Sequence, residues 1–214
     1  MLPERTITTL LLTAALAACG GADEAATDGM DMDAGAATQT AMAEPDLSQC
    51  FLRGATLAEA AERPSPLRAT TLELGATQGQ LCYGAPSAND REIMGGLVPY
   101  GELWRAGANE ATALHLSGPA TFGNVPLEAG SYSIYVLPNE DQWEVFVNSN
   151  VERWGIPIDD EVQATAIGSF MVSPETTNGM VETLTYTFEP TGNGMGDLIM
   201  EWENTRLRMH VMGS

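Results

Sequence analysis

The sequence contains no lysine and few histidines or cysteines. Its 214 residues include nine basic residues, all of them arginine, two histidines and three cysteines, against 29 acidic residues. The resulting formal net charge of −20 repels phosphate backbones and anionic lipid headgroups. Sequence-independent binding to nucleic acid is therefore disfavoured, and so is electrostatic adhesion to a membrane. Without lysine, a phosphate-binding P-loop and Schiff-base catalysis are excluded.

The common catalytic and metal-binding motifs are missing as well. No serine lies in a G-x-S-x-G nucleophile elbow, and no G-x-G-x-x-G follows a strand pattern. The two histidines, His115 and His210, have none of the short spacings that are typical of metal sites. We therefore expect no cofactor and no metal centre, and the sequence indicates no particular reaction.

The N-terminal residues have the pattern of an export signal. Residues 7–18 form an uncharged apolar run of twelve, whereas a bilayer span needs roughly 20 residues. The run ends in Leu16-Ala17-Ala18-Cys19, which resembles a bacterial lipobox. We predict a signal peptide over residues 1–18 and lipidation of Cys19. An ordinary secretory signal with an incidental cysteine is the alternative.

A lipid anchor would place the protein in the cell envelope, with the membrane as one partner. Two or three acyl chains give lasting attachment, because each buried CH₂ contributes roughly 0.8 kcal/mol. Gly20 follows Cys19, and the absence of aspartate there favours the outer membrane. The domain would then face the periplasm.

Residues 19–49 are predicted to be an acidic flexible tether. From Gly20 onward they contain seven acids, no base and no aromatic residue, a composition that cannot bury enough surface to offset the entropy of ordering. Met30, Met32 and Met42 could hold Cu(I) through their thioethers. A plain acidic linker is the favoured alternative.

Cys50 and Cys82 are the two remaining cysteines. In an exported protein an even pair is typically bridged, so we predict a disulfide between them. A pair of inert buried thiols is the alternative.

Residues 50–214 are predicted to form a single all-β domain, an antiparallel β-sandwich of about eight to nine strands. After residue 66 the chain alternates apolar and polar residues in short runs separated by turn residues. A short N-terminal helix is predicted over residues 56–63, because Thr56 and Glu59 have the spacing of a capping box. Residues 84–109 lack any period and are predicted to form one long ordered loop.

Two hairpins can be aligned from the apolar pattern. The first joins residues 131–137 to residues 142–148 and places Ile134 opposite Val145. The second has a turn at Asn204-Thr205, which places Trp202 opposite Leu207 and forms the charge pairs Glu203–Arg206 and Glu201–Arg208.

The long loop and the strands after it carry specific motifs. They read Tyr83-Gly84-x-Pro86, Arg91, Gly96-Leu97-Val98-Pro99-Tyr100-Gly101-x-x-Trp104-Arg105-x-Gly107-Ala108-Asn109-Glu110-x-Thr112, Leu127-x-Ala129-Gly130-x-Tyr132-Ser133 and Trp143-x-Val145-x-x-Asn148. The stretch from about residue 65 to residue 211 resembles the bacterial family called domain of unknown function 2911. The resemblance implies an exported β-rich domain and no established activity.

The candidate binding site is the junction between the long loop and the next strand. It brings a fixed cation, a carboxylate, an amide, a hydroxyl and an aromatic ring within nine residues: Trp104, Arg105, Asn109, Glu110 and Thr112. Arg105 could bind a carboxylate or phosphate in a bidentate manner. In the alternative, these side chains serve the fold: Arg105 pairs with Glu110 or another acid, Asn109 and Thr112 bond to the loop backbone, and Trp104 fills the core.

Two functional hypotheses follow. The first is a tethered, non-catalytic module that binds a small molecule, a glycan or an envelope protein. The second is a hydrolase or isomerase with Glu110 or His115 as base and Arg105 as the anion-binding group. The second requires these side chains to share one site.

Overall fold

The computed structural model describes residues 44–214. The ten strands in this part form two antiparallel sheets, which confirms the predicted all-β sandwich. The six-stranded sheet has the order β1-β2-β3-β6-β7-β8, and the four-stranded sheet has the order β5-β4-β10-β9. The strands are β1 Leu67–Leu74, β2 Thr77–Gly84, β3 Ala108–Leu116, β4 Ala120–Phe122, β5 Val125–Leu127, β6 Gly130–Leu137, β7 Trp143–Asn148, β8 Ala166–Val172, β9 Glu175–Gly192 and β10 Met195–Gly213.

The helical segments are short. They are a 3₁₀ turn at Leu47–Gln49, helix α1 at Leu57–Ala61 and helix α2 at Asp160–Gln163. The predicted capping box of α1 is confirmed, because Thr56 Oγ1 accepts from the Glu59 N–H and the Glu59 carboxylate accepts from the Thr56 N–H. Within residues 44–214, no helix has the length and apolarity that a membrane crossing requires.

Two strands were not predicted from the sequence. β4 and β5 have three residues each and form a small hairpin at the end of the four-stranded sheet. Three residues are too few to display an alternating pattern, so the periodicity that predicts longer strands is absent here.

The β6–β7 hairpin forms with a different register. Ile134 lies opposite Val147, and Val136 lies opposite Val145, so the strands are shifted by two residues from the predicted alignment. A shift of two leaves every side chain on its predicted face, whereas a shift of one would reverse them all. Ile134, Val136 and Val145 are accordingly buried.

Strand β10 runs back on itself. Gly213 N–H donates to Gly194 O at 2.9 Å, although 19 residues in one straight strand would span about 60 Å. Glu203, with φ of 55°, lies where the direction reverses. The predicted C-terminal hairpin therefore exists, with its reversal at Glu203 rather than at Asn204-Thr205.

The charge pairs of this hairpin differ from the prediction. Arg206 pairs with Glu201 at 2.6 Å, and Arg208 pairs with Asp197 at 3.0 Å. The predicted pairs Glu203–Arg206 and Glu201–Arg208 are wrong, because the register was set by a turn placed too late in the chain. The predicted apolar face is confirmed: Leu198, Met200, Trp202, Leu207, Met209 and Val211 are all buried.

The loop between β2 and β3 is ordered, as predicted, and closes one end of the sandwich. Its apolar side chains Ile93 and Val98 are buried in the core. Its backbone is tied to the four-stranded sheet, since the Ile93 and Met94 N–H groups donate to the Glu203 carboxylate. This loop holds the start of β3, where the candidate site was predicted.

Candidate functional site

Trp104 is part of the sandwich core. Its backbone exchanges two hydrogen bonds with Val136, each of 2.8 Å. Its ring stacks on Trp202 with centroids 5.8 Å apart and meets the edge of Trp143 at 6.3 Å. Trp143 and Trp202 are each 1% exposed. Trp104 therefore serves packing between the two sheets.

Asn109 and Thr112 bond to the backbone. Asn109 has φ of 63°, a conformation that asparagine tolerates, and its amide donates to Ser65 O at 2.8 Å. Thr112 is fully buried, and its hydroxyl donates to Ala106 O at 3.0 Å. Both side chains thus hold the loop against its neighbours.

Glu110 is buried and connects β3 to the N-terminal segments through hydrogen bonds. It is 8% exposed, and its carboxylate accepts from Arg63 Nη1 at 2.7 Å and from the Arg53 backbone N–H at 3.0 Å. Arg63 also lies over the Trp154 ring, with its guanidinium carbon 5.8 Å from the centroid. The partner of Glu110 is thus Arg63, and the alternative in which Glu110 pairs with Arg105 is wrong.

Arg105 has no carboxylate within ion-pair distance among residues 44–214. Its Nε donates to Gly107 O at 3.1 Å, and its side-chain carbons lie against Gly155. Partial burial lowers the pKa of the Arg105 guanidinium below its ordinary value, yet an arginine stays protonated at neutral pH. Of the five predicted binding residues, Arg105 alone keeps a charge that the described protein leaves unpaired.

The N-terminal arm, residues 44–53, covers part of the outer face of the six-stranded sheet. The predicted disulfide Cys50–Cys82 is confirmed, with the two Cα atoms 5.7 Å apart, and joins the arm to β2. Gln80 makes a second tie, because its side chain accepts from Asp46 N–H and donates to Asp46 O. These contacts hold Asp46 and Cys50 to the sheet, at the boundary that the sequence predicts between tether and domain.

A cleft lies beside the arm, and we call it the arm cleft. Its volume is about 650 Å³, which falls in the usual range for small-molecule sites. Amides, hydroxyls, two carboxylates and an imidazole line it, together with a larger area of apolar surface and no arginine. The lining residues are Glu44, Asp46, Gln49, Thr71, Gln78, Gly79, Gln80, His115, Leu116, Ser117, Gly130 and Ser131.

Four polar side chains cross the floor of the arm cleft as a row on neighbouring strands. Thr71 on β1 lies opposite Gln80 on β2, Gln80 lies opposite His115 on β3, and His115 lies opposite Ser131 on β6. Residues opposite one another across antiparallel strands share a face of the sheet. We call these four residues the polar row. His115 was considered from the sequence as a base, but the row was not predicted, because each strand carries only one of its members.

His115 is the chemically distinctive member of the row. Its Nδ1 is 2.8 Å from Ser131 Oγ, whereas its Nε2 is buried and has no hydrogen-bond partner among residues 44–214. Partial burial lowers the pKa of the imidazole below its ordinary value, so the ring is neutral at pH 7. A neutral imidazole with one unused nitrogen can accept or donate one further hydrogen bond.

A second cavity of about 280 Å³ adjoins the arm cleft and shares His115, Ser131 and Gln49 with it. Phe51 of the arm and Val151 supply apolar surface there. Neither Arg105 nor Glu110 lines either cavity. The structure therefore does not bring Glu110, His115 and Arg105 into one site, as the hydrolase or isomerase hypothesis requires.

The comparisons with known proteins agree with the motifs of the loop and the strands. The family model described as "Protein of unknown function (DUF2911)" matches residues 65–211, well over half of the chain. The chain belongs to the DUF2911 family. Among curated proteins and solved structures, no match to the chain is found. The DUF2911 match begins after the arm, so it covers all four strands of the polar row and leaves out Asp46 and Cys50.

The described part of this DUF2911 protein, residues 44–214, contains no group of three or more His, Cys, Asp or Glu side chains placed to hold a metal ion. The methionines considered for Cu(I), Met30, Met32 and Met42, lie outside the described residues. The same is true of Cys19 and the predicted signal peptide.

Proposed function

We propose that this protein is a lipid-anchored envelope protein whose domain binds a small polar ligand in the arm cleft, without catalysis. The observation that carries the proposal is the polar row, whose four side chains line a cleft of ligand size. A concave site with a few converging polar groups is the usual form of a small-molecule site.

The charge of the arm cleft narrows the class of ligand. Glu44 and Asp46 line it, and hydrogen bonds from Ser48 lower the pKa of the Asp46 carboxyl, which keeps it ionised. No basic side chain is present to bind an anion there. Amides and hydroxyls suit hydroxyl groups, and the two carboxylates suit an ammonium group. An amino sugar has both, so a glycan-derived amine is the ligand class that fits best.

The test is a titration of the domain, residues 44–214, with glucosamine. Binding is monitored through the amide chemical shifts in NMR spectra. We expect saturable shifts confined to residues that line the arm cleft. His115→Asn should weaken binding about tenfold, which corresponds to about 1.4 kcal/mol, because the variant removes the imidazole ring that lines the arm cleft.

His210→Asn is the matched control for this titration. His210 is an exposed histidine on the other sheet, where it contacts Asp197 at 3.1 Å, so its replacement should leave the affinity unchanged. Equal affinity of wild type and His115→Asn would overturn the proposal. Shifts spread evenly over the acidic surface would overturn it too, since they would indicate non-specific attraction of a cation.

The anchor is part of the same proposal. The apolar run of residues 7–18 and the lipobox-like Leu16-Ala17-Ala18-Cys19 support cleavage before Cys19 and lipidation of its thiol. The Cys50–Cys82 disulfide supports an oxidising compartment such as the periplasm. The acyl chains on Cys19 would then insert into a membrane, and we propose the outer membrane as the location.

Cys19→Ser is expected to abolish membrane attachment and to leave unprocessed precursor. The physical reason is that the predicted lipid is attached through the Cys19 sulfur, which serine lacks. Fractionation and the mass of the mature chain are the measurements, with Cys19→Ala as a second variant. A serine variant that still matures and fractionates with membranes would contradict the lipobox.

A further inference from the structure

We infer that Arg105 anchors a second binding site, separate from the arm cleft, which takes a small oxyanion such as a carboxylate or a phosphate. The site lies where the segment of residues 153–155 runs beside the start of β3. Glu110 and Trp154 form a bridge there, and Gly155 N–H donates to Asn109 O at 2.8 Å.

Basic side chains gather along this segment in an otherwise acidic protein. Arg63 lies over Trp154, Arg153 donates to the carbonyls of Trp154 and Gly155, and Arg105 lies against Gly155. Among residues 44–214, the only carboxylate that is ion-paired to any of the three is Glu110, which is bound to Arg63. Asp159 also attracts Arg153 without forming an ion pair, so the three arginines outnumber the two nearby carboxylates, whereas the chain carries −20. Such a local concentration of cations attracts small anions.

Arg53 and Arg68 are exposed, so water solvates their charges. Arg105 differs from the remaining arginines of the described residues in how its guanidinium is hydrogen-bonded. Arg206 and Arg208 are paired with carboxylates, and Arg91 donates through two of its nitrogens to backbone carbonyls. Arg153 uses all three of its guanidinium nitrogens on backbone and hydroxyl oxygens. Arg105 uses Nε alone and is half-buried, so its two terminal nitrogens are left for a ligand.

The local backbone fixes the direction of this guanidinium. Ala106 has φ of 53°, which turns the chain so that Gly107 O can accept from Arg105 Nε. The aliphatic part of the Arg105 side chain packs against Gly155, in the space that a larger residue at position 155 would fill. A Cβ added at Gly155 would lie 2.5 Å from Arg105 Cδ. A guanidinium held at its Nε presents its remaining N–H groups as a fork, which matches two oxygens of a carboxylate or phosphate.

The ligand is a small anion rather than a polymer or a membrane surface. A charge of −20 on the chain opposes the approach of an extended anionic surface, since many like charges would come close together. A single oxyanion needs to approach only the segment of residues 153–155, where the arginines outnumber the carboxylates. It would also compensate a guanidinium that is partly removed from water without a counter-ion, which is an unfavourable state.

The experiment is an NMR titration of the ¹⁵N-labelled domain with inorganic phosphate and, separately, with succinate, at constant ionic strength set by sodium chloride. We expect the Arg105 Nε–Hε resonance to shift and saturate with at least one of the two anions. Arg105→Gln should weaken that binding at least tenfold. Arg68→Gln is the matched control, because Arg68 is an exposed arginine on β1 and its replacement removes the same charge elsewhere.

A second variant tests the geometry without changing the charge. Gly155→Ala should displace the Arg105 stem and weaken anion binding several-fold. The added Cβ would also lie 2.9 Å from Asn109 O, so the thermal unfolding midpoint is measured to show that the fold is kept. The inference is overturned if neither anion gives a saturable shift, or if Arg68→Gln weakens binding as much as Arg105→Gln does. Tight binding to phosphatidylglycerol vesicles through Arg105, with no response to the free anions, would also overturn it.

Discussion

Replacing both Cys50 and Cys82 by alanine is expected to lower the free energy of unfolding by about 2–4 kcal/mol. The disulfide closes a loop with a sequence separation of 32 and joins the arm to β2. Without it, the unfolded chain gains freedom, and the arm keeps only the Gln80–Asp46 bonds and the Arg53–Glu110 bond as polar ties. Denaturant unfolding of residues 44–214 measures the loss.

The arm itself should respond more strongly than the sheet. Amide hydrogen exchange of residues 44–53 should accelerate in the double variant, while exchange in β3 and β6 stays slow, because a terminal segment opens locally once its tie is removed. Since the arm forms one wall of the arm cleft, glucosamine binding should weaken as well. Reduced wild-type protein is the control for the alanine substitutions. Two reactive thiols in the oxidised domain, or unchanged stability of the variant, would contradict this expectation.

The Glu110→Gln variant is expected to lose about 3 kcal/mol of unfolding free energy. Glu110 is buried, and its carboxylate holds both the Arg63 side chain and the Arg53 backbone N–H. Glutamine retains the shape but not the charge, so the variant leaves Arg63 without its counter-ion near Trp154. Urea unfolding of wild type and variant gives the difference.

Glu201→Gln provides a matched control on the other sheet. Glu201 pairs with Arg206 at 2.6 Å, but both side chains are more exposed than Glu110, at 22% and 27% against 9%. An ion pair that water reaches contributes less, so this variant should lose about 1 kcal/mol or less. Equal losses in the two variants would show that the burial of Glu110 is not what makes its pair important.

Several features of the fold could be predicted because they depend on residues close in the chain. The Thr56–Glu59 capping box, for example, needs only a spacing of three residues. The faces of β6 and β7 follow from alternation alone. Register was less certain, because alternation is unchanged by a shift of two, and both long hairpins were misaligned.

The candidate site was only partly predictable, and for a physical reason. The junction of Trp104, Arg105, Asn109, Glu110 and Thr112 was chosen for its density of functional groups. A high number of functional groups in a short stretch does not show which of them form hydrogen bonds or ion pairs within the protein. Glu110 found its partner in Arg63, which is 47 residues away, and Thr112 found Ala106 O. With those partners unknown, the one unpaired charge, that of Arg105, could not be distinguished from the others.

The sequence by itself determined the strand faces, the capped helix, the cysteine pair and the family, because each depends on local pattern or on motifs within one continuous stretch. The existence and the lining of the arm cleft, in contrast, depend on the tertiary structure. Gln80, His115 and Ser131 lie on three different strands, and they form a row only because β2, β3 and β6 are neighbours with one particular register. The partners of each polar group were decided in the same way, since hydrogen bonding between distant segments depends on how the two sheets and the arm pack.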